Sequence, residues 1–428
     1  MTFEVGRGMM TRRQVLKGMG VLGLGAIGLP VLGGCGGSSG GSGDGGGETI
    51  RIASIRWSSD DIFFNAVQFG QEQEIKRLQE EEGVNIDFTV SAASDETEQV
   101  NAMQTQIDAG VNGILHTPWR GEAMIPLLTQ ANERGIPVVT HNLIVPDAPQ
   151  AHVAVDNVEA GRLAAEALVR RLEELRGPDW AQQGGLIIAT RCFTSEAFDI
   201  ARFSGFEEVM KPIQEENPDL NVEVFLTECA ADNARQGVDD LLSRYGNDSL
   251  LGVWSIEGTG AVGGIIPALD SRGLLFPKDD PKHVVVTAID GTGPEMEAIK
   301  RGQLDHTSQQ PTIGEGIMSM RMLYNYITQE ALAEPNAALV PGSDPSAPWE
   351  SQDIGSGIEI YADAQEVWQP INIIADDRFA GPWYQLPIVE IPKDIPPDSP
   401  DSWPNQIAGE VEGASAEPEH GQHRDYHA

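Results

Sequence analysis

Two glycine-rich stretches have the spacing that can cradle a dinucleotide phosphate. The first, Gly23-Leu24-Gly25-Ala26-Ile27-Gly28, has no strand-like run before it and meets Pro30 just after. Phosphate binding needs a strand, a tight turn and a helix N-terminus, so this match is fortuitous. The second, Gly258-Thr259-Gly260-Ala261-Val262-Gly263, follows an apolar run and opens a helix-like one. The acidic residue that should end a second strand about 20 residues on is missing. Asp279 and Asp280 sit instead in Pro277-Lys278-Asp279-Asp280-Pro281, a loop. These glycines are read as room for close ligand approach and helix packing, and no cofactor is expected. No Gly-x-Ser-x-Gly elbow or nucleophile with a plausible base is present, which disfavours an enzyme. The eight histidines are scattered, with His420, His423 and His427 in the last nine residues, and no metal-ligand spacing appears.

Charge excludes a further class. There are 65 acidic residues against 28 basic, seven of them Lys, for a net charge of −37. Such a chain repels nucleic acid. An acid-rich, Lys-poor surface also fits a salty habitat, where screening relieves self-repulsion.

The first residues have the order of an export signal. Thr11-Arg12-Arg13-Gln14-Val15-Leu16-Lys17 precedes an apolar, Gly-rich run from Gly18 to Gly34, followed by Cys35. The run is about 17 residues, short for a permanent span of a bilayer. The paired arginines resemble a twin-arginine signal. Val31-Leu32-Gly33-Gly34-Cys35 resembles a lipobox, which would place a lipid on Cys35; a plain secretory signal is the alternative. Residues 36–47 are almost all Gly and Ser, a flexible spacer. The expected location is outside the cytoplasmic membrane, in the periplasm or on the cell surface, held by that lipid.

Next come the elements that must position any site. Strand-like runs Thr49–Ile55, Val84–Val90, Gly113–His116 and Pro137–His141 alternate with amphipathic stretches such as Asn65–Glu81 and Glu96–Ala109. After a break at 142–151 the alternation restarts and continues to a long helix-like run, Ile313–Gln329. Repeated β-α units predict an α/β fold of two doubly wound parallel-sheet lobes. Each binds ligands outside the carboxyl ends of its strands, so two facing lobes make one cleft. Residues 335–360 read as loop, Trp368–Ile374 and Ile388–Ile391 as late strands. Beyond Pro392 the acidic, Pro-rich composition predicts a disordered tail, 392–428.

Six stretches in series resemble the type I periplasmic sugar-binding proteins, the family that includes the ribose- and galactose-binding proteins. They are Asp60-Asp61-Ile62-Phe63-Phe64, Gly135-Ile136-Pro137-Val138-Val139, Val155-Asp156-Asn157 with Gly161, Arg202-Phe203-Ser204-Gly205-Phe206, Ile289-Asp290-Gly291-Thr292, and Gly302-Gln303-Leu304 leading to Gln309-Gln310-Pro311. Such proteins clamp sugar hydroxyls with carboxylates, amides and an Arg fork, and cover the C–H faces with aromatic rings. The resemblance implies that Phe64 stacks on a sugar with Phe63 behind it; helix-start core packing is the alternative for both. Asp60 or Asp61 falls at a polar ligand contact and could equally cap the following helix. Where the family often has an Asp-Arg pair, this chain has His141-Asn142, which can bond hydroxyls but lacks the charged fork; a satisfied histidine at a strand end is the alternative for His141. Arg202, Asp290 and Gln309 match ligand contacts, with a solvated arginine and a turn-capping Asp as the alternatives for the first two. Glu257 stands where the family often has Asn or Asp. Trp254 either covers the second sugar face or packs in the core.

The resemblance further implies three crossover segments between the lobes, near Val155-Asp156, Gln309-Gln310 and Ile371-Asn372. The N-lobe is then residues 49–155 with 310–371, and the C-lobe 156–309 with 372–391, after an export signal 1–34 and a lipidated linker 35–48. Cys192 and Cys229 close the first two strands of the C-lobe, expected neighbours, so a disulfide is possible, with free thiols as the alternative. The implied function is capture of a monosaccharide or polyol for an ABC importer, by a monomer that hands ligand to permease and ATPase subunits. A receptor subunit for a membrane sensor is the other reading.

Overall fold

A computed structural model describes residues 49–59, 61–93, 95–118, 121–143, 145, 151–328, 372–374 and 383–408. The export signal, Cys35, the Gly/Ser spacer, Asp60, the loop expected at 335–360 and residues 409–428 lie outside the described residues.

The first lobe is a seven-stranded sheet built on β1 (Thr49–Arg56), β2 (Asn85–Ala92), β3 (Gly113–His116), β4 (Val138–His141) and β5 (Ala151–Val155). All neighbours among these five run parallel. Helices α1 (Ile62–Glu82), α2 (Glu96–Ala109) and α3 (Gly121–Glu133) supply the crossovers that parallel strands require. α1 starts where Asp61 accepts from the Phe63 N–H at 2.8 Å and stops at Gly83, which takes the left-handed conformation with φ 66°. That cap fixes the entry of the chain from β1, and with it the direction of Phe63 and Phe64.

The second lobe is a six-stranded sheet. Its strands β6 (Gly185–Arg191), β7 (Leu220–Leu226), β8 (Leu250–Trp254), β9 (Val285–Asp290) and β10 (His306–Gln309) are parallel, in the order β10-β9-β8-β6-β7. The intervening helices are α4 (Asn157–Arg176), which leads in from β5, α5 (Ala197–Glu216), α6 (Ala231–Tyr245), α7 (258–271) and α8 (Gly293–Lys300). α7 changes from α to π geometry over Ala261–Ile265. Strands buried on both faces read as continuous apolar runs, and Leu186, Ile187, Ile188 and Ala189 are all fully buried.

Among the described residues the chain crosses between lobes three times. β5 passes to α4 at residues 155–157, and β10 passes to α9 (Thr312–Thr328) through 310–311. The third crossover departs from expectation. β11 (Asn372–Ile374) and β12 (Trp383–Leu386) both belong to the first sheet, and only β13 (Val389–Ile391) joins the second, antiparallel to β10. The crossing is therefore at 387–388, not at Ile371-Asn372. β12 lies beside β5, with Trp383 Nε1 donating to the Ala154 carbonyl at 3.0 Å. Its four residues, between Pro382 and Pro387, are too short a run to signal a strand by pattern.

The expected disordered tail also needs correction, because residues 392–408 are folded. Trp403 is 3% exposed and packs with Ala66 and Ile313, and a short helix, α10, spans 403–408. Composition averaged over the tail hid a few well-placed apolar anchors.

Helices α4 and α5 approach with backbones in contact. A side-chain carbon on Gly161 would lie 1.9 Å from the Arg202 carbonyl, and one on Gly205 2.0 Å from the Val158 carbonyl. These glycines let α4 and α5 touch, and that contact sets where Arg202 points.

Candidate functional site

A cavity of about 300 Å³ opens between the carboxyl ends of the two sets of strands. Its first-lobe wall is aromatic. Phe63 and Phe64 meet edge to face at 5.3 Å, and Trp57 lies 6.0 Å from Phe64. Asp61 and Asn142 supply polar groups beside them. Each of the two Phe rings is 6% exposed, so their packing and cavity-lining roles coexist.

The second-lobe wall is polar. Arg202 donates through Nε to Asn157 Oδ1 at 2.9 Å, and through Nη1 to the Ile256 carbonyl at 2.9 Å and Asp290 Oδ1 at 3.3 Å. Phe198, one turn earlier on α5, places its ring 5.4 Å from the guanidinium. Asp290 also accepts from the Gly258 N–H at 3.1 Å and from Gln310 Nε2 at 2.7 Å. Gln310 Oε1 in turn accepts from Asn142 Nδ2 at 3.2 Å. A line of bonds thus runs Asn142–Gln310–Asp290–Arg202 from one lobe to the other.

The backbone is held in sparsely populated conformations here. Among the described residues the non-glycine positions with positive φ are Asn142 (61°), Glu228 (53°), Cys229 (54°) and Asp290 (118°). All four line the cavity. Strain of this kind persists only where surrounding structure enforces it. For Glu228-Cys229 one enforcing element is a disulfide from Cys229 to Cys192, with Cα atoms 4.8 Å apart. β6 and β7 pair directly, which brings the two cysteines together.

Burial acts on three acids of the cleft, Glu257, Asp290 and Asp61. Desolvation pushes Glu257 up to about 7, with Asp290 adding to the rise, although the Gly260 N–H bonds its Oε1 at 2.8 Å. Asp290 is raised by desolvation against the opposing pull of Arg202. Asp61 is raised by desolvation and by Asp290 across the cleft, against its bond from the Phe63 N–H. Behind the wall, Glu295 goes up to about 8 through desolvation and Asp290, while it accepts from Thr292 N–H and Thr307 Oγ1. A carboxyl that keeps its proton near neutrality can donate as well as accept, which suits a ligand rich in hydroxyls.

Seven residues singled out in the sequence line this cavity together: Asp61, Phe63, Phe64, Asn142, Arg202, Glu257 and Asp290. Glu257 is at once a cavity residue and the cap of α7. Two others do not line it. His141 is buried, and its ring contacts Glu315 Oε1 at 3.1 Å and Thr117 Oγ1 at 3.1 Å, within the first lobe. Gln309 is 3% exposed and donates to the Gly291 carbonyl and to Ser402 Oγ, both at 3.0 Å. Successive residues of a strand face opposite sides, so the cavity-facing residue is the next one, Gln310. Trp254 resolves to the core, 4.9 Å from Phe206 and fully buried.

Sequence reasoning passed over Trp57, Ser58, Phe198, Glu228, Thr259, Thr292 and Gln310. Trp57-Ser58 directly follows β1, and Thr259 and Thr292 follow strand ends, so position alone could have found them. Phe198 precedes Arg202 by four residues, the spacing of one helix face. Glu228 carries no such signal, because its place depends on the disulfide and a left-handed backbone.

Among the described residues no group of three or more His, Cys, Asp or Glu is arranged to hold a metal ion. The chain matches the periplasmic binding protein domain family over residues 52–331. It is 25% identical over 257 residues to the ribose import binding protein of Bacillus subtilis, covering 59% of this chain and 73% of that one. It is 26% identical over 220 residues to the D-xylose-binding periplasmic protein of Escherichia coli, covering 50% of this chain and 59% of that one. Among solved structures, an ABC transporter solute binding protein from Agrobacterium vitis with bound D-fucose aligns with TM-score 0.55 and 25% identity, over 66% of this chain and 91% of that one. One from Bacillus halodurans with bound myo-inositol aligns with TM-score 0.56 and 24% identity, over 67% and 91%, a likeness of fold.

Proposed function

The chain belongs to the periplasmic binding protein domain family, and we propose that it captures a monosaccharide or related polyol in the cavity between its lobes and delivers it to an ABC importer. The observation that carries this reading is the facing of an aromatic wall, Trp57, Phe63 and Phe64, against the bonded line Asn142–Gln310–Asp290–Arg202. A sugar presents apolar C–H faces and a rim of hydroxyls, and these two walls match them. Carboxylate, amide and guanidinium groups held by one another are pre-organised, so little ordering cost falls on binding.

The three crossovers support delivery. Lobes joined by a few short segments close by hinge motion, and ligand contacts to both walls favour the closed state. Permease and ATPase subunits are the partners of this reading, and the binding protein acts as a monomer. Its place is outside the cytoplasmic membrane, held by a lipid on Cys35 and spaced from the headgroups by residues 36–47. In support, the similar proteins from Bacillus subtilis and Escherichia coli are named for ribose import and D-xylose binding.

Thermal-shift titration of the soluble body with D-ribose, D-xylose, D-fucose and myo-inositol, in low and high salt, tests this. At least one should raise the melting temperature in a saturable way. If none does in either buffer, the sugar reading is wrong. Metabolic labelling of a Cys35→Ala variant with a radiolabelled fatty acid tests the anchor, which predicts loss of label.

A further inference from the structure

Residues 392–408 lie outside the stretch matched to the family, 52–331. They follow β13 and hold their own shape. Asn405 Nδ2 donates to the Ser399 carbonyl at 2.8 Å, and Gln406 Nε2 to the Asp401 carbonyl at 2.8 Å. Ile395 packs on the core of the second lobe. Trp403 enters a small cluster of the first lobe with Ala66 and Ile313. This one segment therefore grips both lobes.

Its grip falls directly behind the cleft. The Trp403 ring meets Phe63 edge to face, at 6.5 Å and 85°. Its Nε1–H donates to the Asp290 carbonyl at 3.4 Å. Next to it, Ser402 Oγ accepts from Gln309 Nε2, the same nitrogen that bonds the Gly291 carbonyl. Trp403 and Ser402 do not line the cavity. Yet they brace one residue of each wall, and Asp290 is one whose φ of 118° must be enforced from outside.

We propose that residues 392–408 are a strap across the lobes, with Trp403 as a positioning residue that sets Phe63 and Asp290 at the offset the ligand requires. The ring acts on the first-lobe wall and the N–H on the second. The segment is thus a working part of the binding site that the shared family domain does not include. Its consequence for binding rests on the sugar reading above; its mechanical role does not.

Hydrogen exchange of the ligand-free, full-length protein separates the two. Trp403→Ala should speed exchange about tenfold over residues 61–69 and 288–294, the scale of one lost packing contact or hydrogen bond. The remote edge strand, 220–226, should be unchanged. Trp403→Phe keeps a ring against Phe63 but no N–H, so it should restore 61–69 and not 288–294. Should Trp403→Ala fail to fold, Ser402→Ala gives the answer, with acceleration confined to 288–294. Equal acceleration in all three stretches, or none in the first two, overturns the strap. In a second arm, D-ribose binding by calorimetry should weaken about tenfold in Trp403→Ala, with Trp403→Phe between. If D-ribose bound the unmodified and variant chains equally well, the positioning role would be refuted. If D-ribose does not bind the unmodified chain at all, that arm counts against a ribose ligand, and the exchange pattern alone decides the strap.

Discussion

Gln310 Nε2 donates to Asp290 Oδ1 at 2.7 Å, and this short bond joins a crossover segment to the end of a C-lobe strand. Through its other atom, Gln310 Oε1 accepts from Asn142 of the first lobe. One amide therefore ties both walls of the cleft. Gln310→Leu keeps the bulk and removes both bonds. It should weaken ligand binding roughly 10- to 100-fold, since bonds to charged groups contribute about 1.5–3 kcal/mol. Unchanged calorimetric affinity would show that the line of bonds is structural only.

Arg202 tests the geometry of the second wall. It reaches Asn157, Ile256 and Asp290 from one guanidinium. Arg202→Lys keeps the charge but cannot span the three acceptors. Affinity should fall nearly as far as in Arg202→Ala, and recovery by Lys would mean that charge alone matters. Gly205→Ala acts on the same residue indirectly. Its added carbon collides with the Val158 carbonyl and pushes α5 away, so the melting temperature should drop, at a cost of about 1–3 kcal/mol.

The buried acids set a pH dependence. Glu257 and Glu295 rise from an ordinary 4.5 to about 7 and about 8 in the fold. Between 4.5 and those values the native state keeps protons that the unfolded chain has lost, so stability falls as pH rises through that window and levels off above it. His116 and His306, pushed down to about 3 by desolvation, act on the acid side. Their contribution is present above 6.5 and is lost as pH falls toward 3. Denaturant midpoints should therefore decline from pH 6.5 to 8. Glu295→Gln should flatten that decline, and a slope equal to wild type would remove Glu295 as its cause.

The Cys192–Cys229 bond closes a loop of 37 residues. On chain-entropy grounds its loss should cost about 3–4 kcal/mol. Cys192→Ser/Cys229→Ser should lose this stability and also bind ligand more weakly, because Glu228 and Cys229 line the cavity in left-handed conformations. Lost stability with full affinity would separate the bond from the site.

Much of this was legible because the period of the apolar residues follows the backbone. The parallel strands β1–β4 and β6–β9 announced themselves as apolar runs, while β5, β10 and β12 did not. Asp61 and Asp290 stand next to element ends that the pattern located, whereas Arg202, expected at a helix start, lies on the second turn of α5. What escaped depended on contacts distant in sequence. Gln309 and Gln310 differ only in which face of β10 they continue, which pattern could not tell. His141 looked available but is consumed by Glu315, 174 residues away. The folded stretch 392–408 was masked by its average composition, although Trp403, with Ile407 beside it, anchors it to the first lobe.

The central claim is that a sugar or polyol is held between Phe64 and Asp290. Calorimetric titration of D-ribose, D-xylose, D-fucose and myo-inositol into the unmodified protein, Phe64→Ala and Asp290→Ala tests it most directly. At least one ligand should bind the unmodified protein saturably, and each variant should lose roughly tenfold or more in affinity with its fold intact. Saturable binding that both variants retain in full would place the ligand elsewhere and contradict the account.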